Sequence, residues 1–232
     1  MNKRFKERWT YFWREWIRPL GTVALVVFSF RSSIADWNDV PTGSMKPSII
    51  EGDRVFVNKL AYDLKIPFTR MRIAEWGDPE RGDVVVFFAP TDGTRMVKRV
   101  IGLPGDRIEL LNNRVFVNGE ALAYEELDSW FVEQIPAAAR PAHLFASELL
   151  ADRKHPMMIT PNRPAPRTGG PFVVPEGHYF MMGDNRDNSL DSRFYGAVAR
   201  DRIVGRSTAV VFSFEPDRWL RPRWGRFFES MP

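Results

Sequence analysis

The chain has 232 residues with 33 Lys and Arg, 29 Asp and Glu, three His and no cysteine, which is enough for one or two domains with a real core. Without cysteine there can be no disulfide, zinc–thiolate site, iron–sulfur cluster or cysteine nucleophile, and three histidines disfavour a multi-histidine metal site. The cations are 7 Lys and 26 Arg, and because arginine is not a base near neutral pH, a catalytic lysine has few candidates.

The positive charge is concentrated at the two ends of the chain. Residues 1–18 carry six cations and two anions, residues 216–232 carry four and two, and the body between them carries 23 and 25. A nucleic-acid groove needs a stripe of Arg and Lys on the folded body, so this distribution argues against nucleic acid as a partner. Cations beside tryptophan at a chain end are typical of a membrane interface; the tryptophans are Trp9, Trp13, Trp16, Trp219 and Trp224.

An almost uninterrupted apolar run, Pro19–Phe30, follows the N-terminal cations. Twelve residues form roughly 18 Å of helix against a hydrocarbon core of about 30 Å, so a spanning helix must recruit residues on both sides. We predict a transmembrane anchor over 19–35, and the positive-inside rule places the basic segment 1–18 in the cytoplasm. Two alternatives stay open, a cleaved signal peptide ending at Ser33-Ile34-Ala35 and a buried core helix.

After Asp36 the pattern predicts a mainly β fold, an antiparallel sheet. Short runs rich in β-branched and aromatic residues are separated by Gly, Pro, Asn and Asp turn signals. The predicted strands are Arg54–Val57, Asp83–Phe88, Met96–Ile101, Ile108–Leu111, Arg114–Val117, His178–Met182 and Ile203–Phe214. Asn112-Asn113 and Asn118-Gly119 indicate a hairpin around Arg114–Val117.

The chain is expected to divide into a β body over 36–106 and 173–215, an inserted β and loop region over 107–172, and a basic aromatic tail over 216–232. The insertion changes composition over 121–172, where seven prolines are scattered among Ala, Arg and charged residues. Such a composition favours an insertion that is part strand and part loop over an independent domain.

The first segment that could carry chemistry is Pro41-Thr42-Gly43-Ser44-Met45-Lys46-Pro47-Ser48. A Thr-Gly-Ser turn between prolines presents a hydroxyl on a stiff, exposed backbone, and glycine permits close approach by a substrate chain. A serine in such a turn is more often a turn residue than a nucleophile, so Ser44 needs a base elsewhere in the chain.

The histidines are weak candidates for that base. None stands in a segment that resembles the histidine of a Ser-His-Asp triad, so a triad is disfavoured; they are His143, His155 and His178. The other base available to serine is a neutral lysine, which requires an apolar site that lowers the lysine pKa.

Among the lysines, Lys98 has the most suitable setting. It lies in a β-branched strand that ends at a Gly-Leu-Pro-Gly-Asp turn, and alternation puts Met96, Lys98 and Val100 on one face. The alternative is an edge-strand lysine that faces solvent. Lys59 follows a strand and is expected to be an unremarkable surface residue.

A third segment, Gly183–Arg193, packs nine side chains capable of hydrogen bonding or ion pairing into eleven residues after an apolar strand. Carboxylate–arginine pairs in such a loop could hold a serine hydroxyl against a catalytic group. A calcium-binding or solvated loop is the alternative, although the spacing from Asp184 lacks the glycine and the glutamate of an EF-hand.

Four blocks of the sequence, taken together, resemble bacterial type I signal peptidases in composition and order. The blocks are Gly43-Ser44-Met45-x-Pro47, Gly82-Asp83-Val84-Val85-Val86-Phe87, the run from Lys98 to Asp106, and Gly183–Arg193. The resemblance covers about residues 41–106 and 175–215, and it implies a Ser–Lys dyad membrane endopeptidase that needs no cofactor or metal.

Residue by residue, the resemblance makes Ser44 the nucleophile and Lys98 the general base. It makes Ser189 the serine whose hydroxyl orients the lysine, Asp191 and Arg193 a supporting ion pair, and Asp184 and Arg186 the other motif positions of the loop. Thr42 stands where the family usually has serine, and its hydroxyl and the Ser44 backbone N–H are the candidate oxyanion donors.

The resemblance also implies substrates and a location. The substrates are secretory preproteins with small-x-small cleavage sites, and the site of action is the outer, periplasmic side of the cytoplasmic (inner) membrane, in contact with lipid. Many family members of this size class have two spans, whereas this chain has one short candidate, followed by an unusually acidic linker over 36–40.

Other readings differ in class. The chain could be a specialised paralogue with restricted substrates, a soluble Ser–Lys autoprotease with a regulatory or DNA-binding domain, or an inactive membrane adaptor of the same fold. No helix-turn-helix precedes the body, and the presence of Ser44, Lys98 and Ser189 disfavours an inactive adaptor. A penicillin-interacting serine enzyme is excluded, because Ser44 is followed by lysine at i+2 and no Lys-Thr-Gly is present.

Overall fold

The structure is a computed structural model that describes residues 3–69, 71–216 and 221–232. Trp219 of the predicted interfacial tail lies outside these residues. The N-terminal part is a helical rod composed of α1 (Lys3–Phe12), a π-helical turn (Trp13–Ile17) and α2 (Arg18–Ser33). Everything that follows is mostly strand.

The predicted membrane anchor falls on α2, a helix of 16 residues. Sixteen residues rise about 24 Å, short of a hydrocarbon core of about 30 Å, and arginines stand at position 18 and at position 31. Within the described residues, no helix is both long and apolar enough to cross a bilayer. The transmembrane helix predicted over 19–35 is therefore not found. A buried core helix is also wrong, because Leu20, Val23 and Val26 are each about three-fifths exposed.

The strands follow in chain order, and short helices interrupt them. The strands are β1 (Ala35–Asp39), β2 (Asp53–Asn58), β3 (Asp63–Lys65), β4 (Arg72–Glu75), β5 (Val84–Phe88), β6 (Arg95–Gly102), β7 (Arg107–Leu111), β8 (Arg114–Val117), β9 (Glu120–Ala121), β10 (Ala123–Glu125), β11 (Leu144–Leu150), β12 (Arg153–Ile159), β13 (Gly169–Val173), β14 (His178–Met182), β15 (Val198–Ala199), β16 (Ile203–Glu215), β17 (Arg221–Pro222) and β18 (Glu229–Ser230). The further short helices are α3 (Ser129–Glu133) and α4 (Ser192–Tyr195).

The main sheet is antiparallel throughout its described pairs and runs in the order β1-β2-β16-β5-β6-β14-β15, with β17 and β18 also on β16. Each of the seven predicted strands is present, which confirms the mainly antiparallel β prediction. The predicted hairpin is also confirmed: β7 pairs with β8, and Asn112 and Asn113 take φ of 50° and 64°, the left-handed backbone that asparagine tolerates in a tight turn.

The acidic segment 36–40, predicted as a linker, instead begins with an edge strand. β1 pairs with β2 along its whole length, and Asp36 accepts from the Arg31 side chain at 2.7 Å. The charge of Asp36 is thereby paired at the junction between α2 and the sheet. This carboxylate of the acidic segment therefore connects α2 to the sheet.

The inserted region contributes two further sheets, β10-β11-β12 and β13-β7-β8-β9. Side chains from β7, β8 and β11 pack with Phe180 and Met182 of β14 in one apolar cluster, so the insertion packs directly against the main sheet. A second cluster lies under the Ser44 segment, where Met45 and Ile49 pack with valines of β2 and β5. The division of the chain at 107–172 remains a prediction.

Candidate active site

Ser44 lies in a single helical turn, Gly43–Met45, after Thr42 in extended conformation. Met45 is 1% exposed and packs into the apolar cluster beneath the turn, so the buried side chain fixes the turn while Ser44 stays half-buried. Burial of a full methionine side chain contributes about 1.5–3 kcal/mol. Ser44 thus lies on a turn that is anchored to the core by its neighbour Met45.

The loop after β14 holds the Ser44 turn by its backbone. Asn185 Nδ2 donates to the Gly43 carbonyl at 2.9 Å, and the Asn185 N–H donates to the Ser44 carbonyl at 3.1 Å. The approach is close enough that a Cβ on Gly183 would lie 2.4 Å from the Ser44 carbonyl oxygen. Only glycine fits at position 183 without displacing the turn or the loop.

Lys98 Nζ lies 2.7 Å from Ser44 Oγ and donates to the Val97 carbonyl at 2.9 Å. Its strand, β6, lies between β5 and β14, and the Lys98 residue is 4% exposed. The alternative of an edge-strand lysine in solvent is therefore wrong. The structure brings together the two residues that the sequence nominated as nucleophile and base.

Burial lowers the pKa of Lys98 to about 8, and the Arg193 cation acts in the same direction. Asp191 and Asp184 oppose this shift by favouring the ammonium form. A lysine in this range is substantially neutral at mildly alkaline pH, which is the state in which it can accept a proton from a hydroxyl.

The carboxylates of the 183–193 loop each pair with an arginine. Asp184 pairs with Arg99 at 2.8 Å, Asp187 with Arg167 at 3.0 Å, and Asp191 with Arg193 at 2.8 Å. Such pairs satisfy the charges of the loop internally. No cluster of acidic or histidine side chains suited to a metal ion occurs within the described ranges, so the calcium-loop alternative finds no support.

The predicted ion pair of Asp191 and Arg193 also fixes the loop backbone. Asp191 Oδ2 accepts from the Gly183 N–H at 3.0 Å, and Arg193 Nη2 donates to the Arg186 carbonyl at 2.6 Å. Both side chains of the pair are almost fully buried. The pair therefore joins the two ends of the loop across its middle.

Asp184 and Arg186 have partners that the sequence did not predict. Arg99 binds Asp184 through Nε at 2.9 Å and Nη2 at 2.8 Å, and Ser48 donates to the same carboxylate. Arg186 binds Glu148 of β11 through both Nη atoms. Asp184 thus pairs with the residue next to Lys98 in β6, while Arg186 reaches into the insertion.

Ser189 is placed less favourably than predicted. It is buried beside Gly183, but Ser189 Oγ makes no hydrogen bond within the part of the chain that the structure describes. The predicted hydrogen bond that would orient Lys98 is not formed. Thr42 lies on the exposed side of the turn, at the rim of the cavity next to Ser44.

A cavity of about 470 Å³ opens onto Thr42, Ser44 and Lys98. Its walls come from the Ser44 segment, β5, β6 and the 183–193 loop, and they include Val40, Met45, Val86, Met96, Asn188 and Leu190. A mostly apolar cavity with a hydroxyl and an amine at one side suits an extended chain with small side chains.

Sequence reasoning gave no individual role to Arg99, Asn185 and Gly183, although they lie in its motif blocks, and it missed Glu148 altogether. The role of Arg99 could have been predicted from the sequence. Arg99 follows Lys98 in the strand and points to the opposite face of the sheet, and if that face is also covered, a buried arginine needs an acidic partner. Glu148 had no such signal, since its partner is 38 residues away in the sequence.

The family comparison assigns this fold and site to a class of enzyme. A family profile described as "Signal peptidase, peptidase S26" matches residues 13–212. The chain belongs to this family, and it is therefore a peptidase, a hydrolase of the signal peptidase I type.

Individual relatives agree with the family match. Signal peptidase I of Pseudomonas fluorescens is 37% identical over 229 residues, which cover 91% of this chain and 77% of that protein. Signal peptidase I of Pseudomonas aeruginosa is 38% identical over 215 residues, 88% of this chain and 73% of that protein. A crystal structure of a signal peptidase I from Enterococcus faecalis V583 has 30% sequence identity, covers 57% of this chain and 98% of that chain, and gives a TM-score of 0.37.

Proposed function

We propose that the protein removes signal peptides from exported preproteins, with Ser44 as nucleophile and Lys98 as general base. The observation that carries the proposal is the 2.7 Å contact between Lys98 Nζ and Ser44 Oγ at a buried lysine. A buried lysine loses the solvation that favours its charge, and the contact gives its neutral form a proton to accept.

The reaction proceeds in two stages. Neutral Lys98 takes the Ser44 proton as Ser44 Oγ attacks the scissile carbonyl, and protonated Lys98 then delivers that proton to the leaving amine. A water molecule activated by Lys98 hydrolyses the ester and frees the serine. No cofactor enters either stage.

The oxyanion needs donors beside Ser44, and we assign them to the Ser44 backbone N–H and the Thr42 hydroxyl. Thr42 shares the cavity rim with Ser44. One such donor is typically worth about 2.7–4 kcal/mol of barrier. We expect Thr42→Ala to lower kcat by about 10²-fold, and Thr42→Ser to stay near wild type because the hydroxyl remains.

The substrate is expected to lie extended in the cavity next to Ser44, with small side chains in its apolar part. Strand edges bind extended peptides through the backbone, and the volume of about 470 Å³ leaves room for small residues. This supports preproteins with small-x-small cleavage sites as the substrate class.

We further propose that the protein acts at the outer face of the cytoplasmic membrane and is attached to lipid by the N-terminal helix. The apolar side chains of α2 are exposed and need an apolar partner; they include Leu20, Val23, Leu25, Val26, Val27, Phe28 and Phe30. Replacing two of them with glutamate should release the protein from membranes in a sedimentation assay, while catalysis in detergent is retained.

The deciding experiment is cleavage of a preprotein with an Ala-x-Ala site by the detergent-solubilised protein. Wild type is compared with Ser44→Ala and Lys98→Ala, and Lys154→Ala serves as a matched control because Lys154 is an exposed lysine outside the site. Both dyad variants should be inactive and the control should match wild type. Cleavage that survives either dyad substitution would refute the assignment.

A further inference from the structure

The inserted hairpin, defined here as β11 and β12, carries a buried glutamate and a buried histidine at its centre. Glu148 and His155 lie directly opposite each other in the strand register, with His155 Nε2 3.3 Å from Glu148 Oε2. Glu148 is 0% exposed. A carboxylate so deep in the protein must be paired to remain ionised.

Its partner is Arg186 of the 183–193 loop. Arg186 Nη1 donates to Glu148 Oε1 at 3.0 Å, the second Nη donates to Oε2, and Tyr124 OH donates to Oε1 at 2.7 Å. Burial would raise the pKa of Glu148, but Arg186 and His155 overcome that effect and lower it. Glu148 is therefore ionised throughout the neutral range, and its carboxylate holds Arg186.

The hairpin grips the loop at neighbouring backbone positions as well. The Met158 N–H donates to the Asp184 carbonyl at 2.8 Å, and Met158 bridges Asn185 as in a parallel strand pair. Asn185 in turn holds the Ser44 carbonyl. A continuous set of contacts thus runs from the hairpin through the loop to the nucleophile.

The same loop reaches Lys98 on its other side. Arg193 Nη2 donates to the Arg186 carbonyl, and the Arg193 side chain pairs with Asp191. Arg193 lowers the pKa of Lys98, whereas Asp191 and Asp184 raise it. Movement of Arg186 would therefore change both the placement of Ser44 and the surroundings of Lys98.

We propose that Glu148 is a positioning residue for the Ser44–Lys98 pair, acting through Arg186. The proposal gives the inserted region a part in catalysis, and it rests on the dyad mechanism proposed above. A misplacement of reacting groups by about 1 Å can cost on the order of 10²-fold in rate, so the anchor of the loop matters as much as the groups that the loop carries.

The test compares Glu148→Gln with wild type on the Ala-x-Ala preprotein. Glutamine keeps the shape of the side chain and removes its charge. We expect kcat to fall about 10²-fold with a much smaller change in KM. Glu125→Gln is the matched control, because Glu125 lies on the adjacent strand β10 in an exposed pair with Lys154, and it should leave kcat unchanged.

The pH profile separates positioning from a loss of folded protein. In wild type the rate should rise as Lys98 becomes neutral. If the loop loosens in Glu148→Gln, water reaches Lys98, its pKa moves back towards its ordinary value, and the midpoint should shift upward by ~0.5 unit or more. A smaller amount of correctly folded enzyme would lower the rate by the same factor at every pH and leave the midpoint in place.

A second variant keeps the proposal testable if Glu148→Gln does not fold. Arg167 holds the middle of the loop through Asp187, the residue after Arg186, at 3.1 and 3.0 Å. Its side chain is 32% exposed, so Arg167→Gln should fold. It should lower kcat by ~5–10-fold with an upward midpoint shift, because the loop loses a fixed support.

The proposal is overturned if a folded Glu148→Gln enzyme keeps the wild-type kcat and midpoint, or if its rate falls by the same factor at every pH with no shift of the midpoint. Where Glu148→Gln does not fold, an Arg167→Gln enzyme with wild-type kcat and midpoint overturns it equally. Failure of the underlying function looks different, because wild type itself would then cleave no preprotein or would do so after Ser44→Ala.

Discussion

Two buried lysines, one on an inner strand of the main sheet and one just after β2, have different surroundings. Lys98 Nζ contacts the Ser44 hydroxyl, whereas Lys59 Nζ donates to the Arg31 and Ser32 carbonyls and lies 3.6 Å from Asp36. Burial lowers the pKa of both lysines. The nearby Asp36 carboxylate favours the ammonium form of Lys59. Lys98 also donates to a carbonyl, that of Val97, but it has in addition a hydroxyl at hydrogen-bond distance that can give a proton to its neutral form.

Under the proposed mechanism, burial alone does not make a lysine a general base. Lys59 caps the carboxyl end of α2, where carbonyls lack helical partners and a cation is favourable. It is a structural fastening between helix and sheet. Lys98 instead contacts the Ser44 hydroxyl, a group that can give up a proton.

The largest expected difference between the two lysines is in activity. Lys98→Met should reduce kcat/KM by about 10³-fold or more, since a positioned general base contributes typically 10²–10⁴-fold, whereas Lys59→Met should change it by less than ~3-fold. Steady-state cleavage of the Ala-x-Ala preprotein measures both. Equal losses of kcat/KM in the two variants would contradict the assignment of different roles to Lys98 and Lys59.

The next difference is in how stability depends on pH. Because the folded-state pKa of Lys98 is about 8 and its ordinary value is 10.5, the unfolded chain binds more protons between these values, so stability rises with pH across this window. A shift of this size corresponds to about 3 kcal/mol. Urea unfolding at pH 8 and pH 10.5 should show a smaller rise in Lys98→Met than in wild type. An identical rise in both would place the depressed pKa elsewhere.

The smallest expected effect is the stability contribution of Lys59. Lys59→Met should lower the free energy of unfolding by about 1–2 kcal/mol, because the Arg31 and Ser32 carbonyls lose their donor. Lys154→Met is the control, since Lys154 is exposed and its ion pair should contribute under ~1 kcal/mol. Thermal unfolding of detergent-solubilised protein is sufficient to measure this. A Lys59→Met protein as stable as wild type would show that the α2 cap is dispensable.

The contrast also shows where sequence reasoning succeeds. Lys98 was identified because its strand, its turn and its motif are local. Lys59 was predicted to be a surface residue, yet it is 8% exposed, because the end of α2 packs over it and no local pattern reveals such a tertiary contact.

The same limit applies to the fold. The predicted strands have alternating side chains and clear turns, so local pattern was sufficient. The strands of the inserted hairpin were missed because Glu148 and His155 interrupt the apolar pattern, and these residues are buried only through a partner far along the chain. The predicted helix over 19–35 likewise ends two residues beyond α2, because the apolar run does not reveal where the helix ends and β1 begins.

Gly183 has a consequence for how the site tolerates change. A single methyl group there would lie 2.3 Å from Ser189 Oγ as well as against the Ser44 carbonyl. The Ser44 turn and the loop that supports it are therefore in van der Waals contact with no clearance between them. Steric fit at one backbone position thus sets the spacing of two segments that are about 140 residues apart in the sequence.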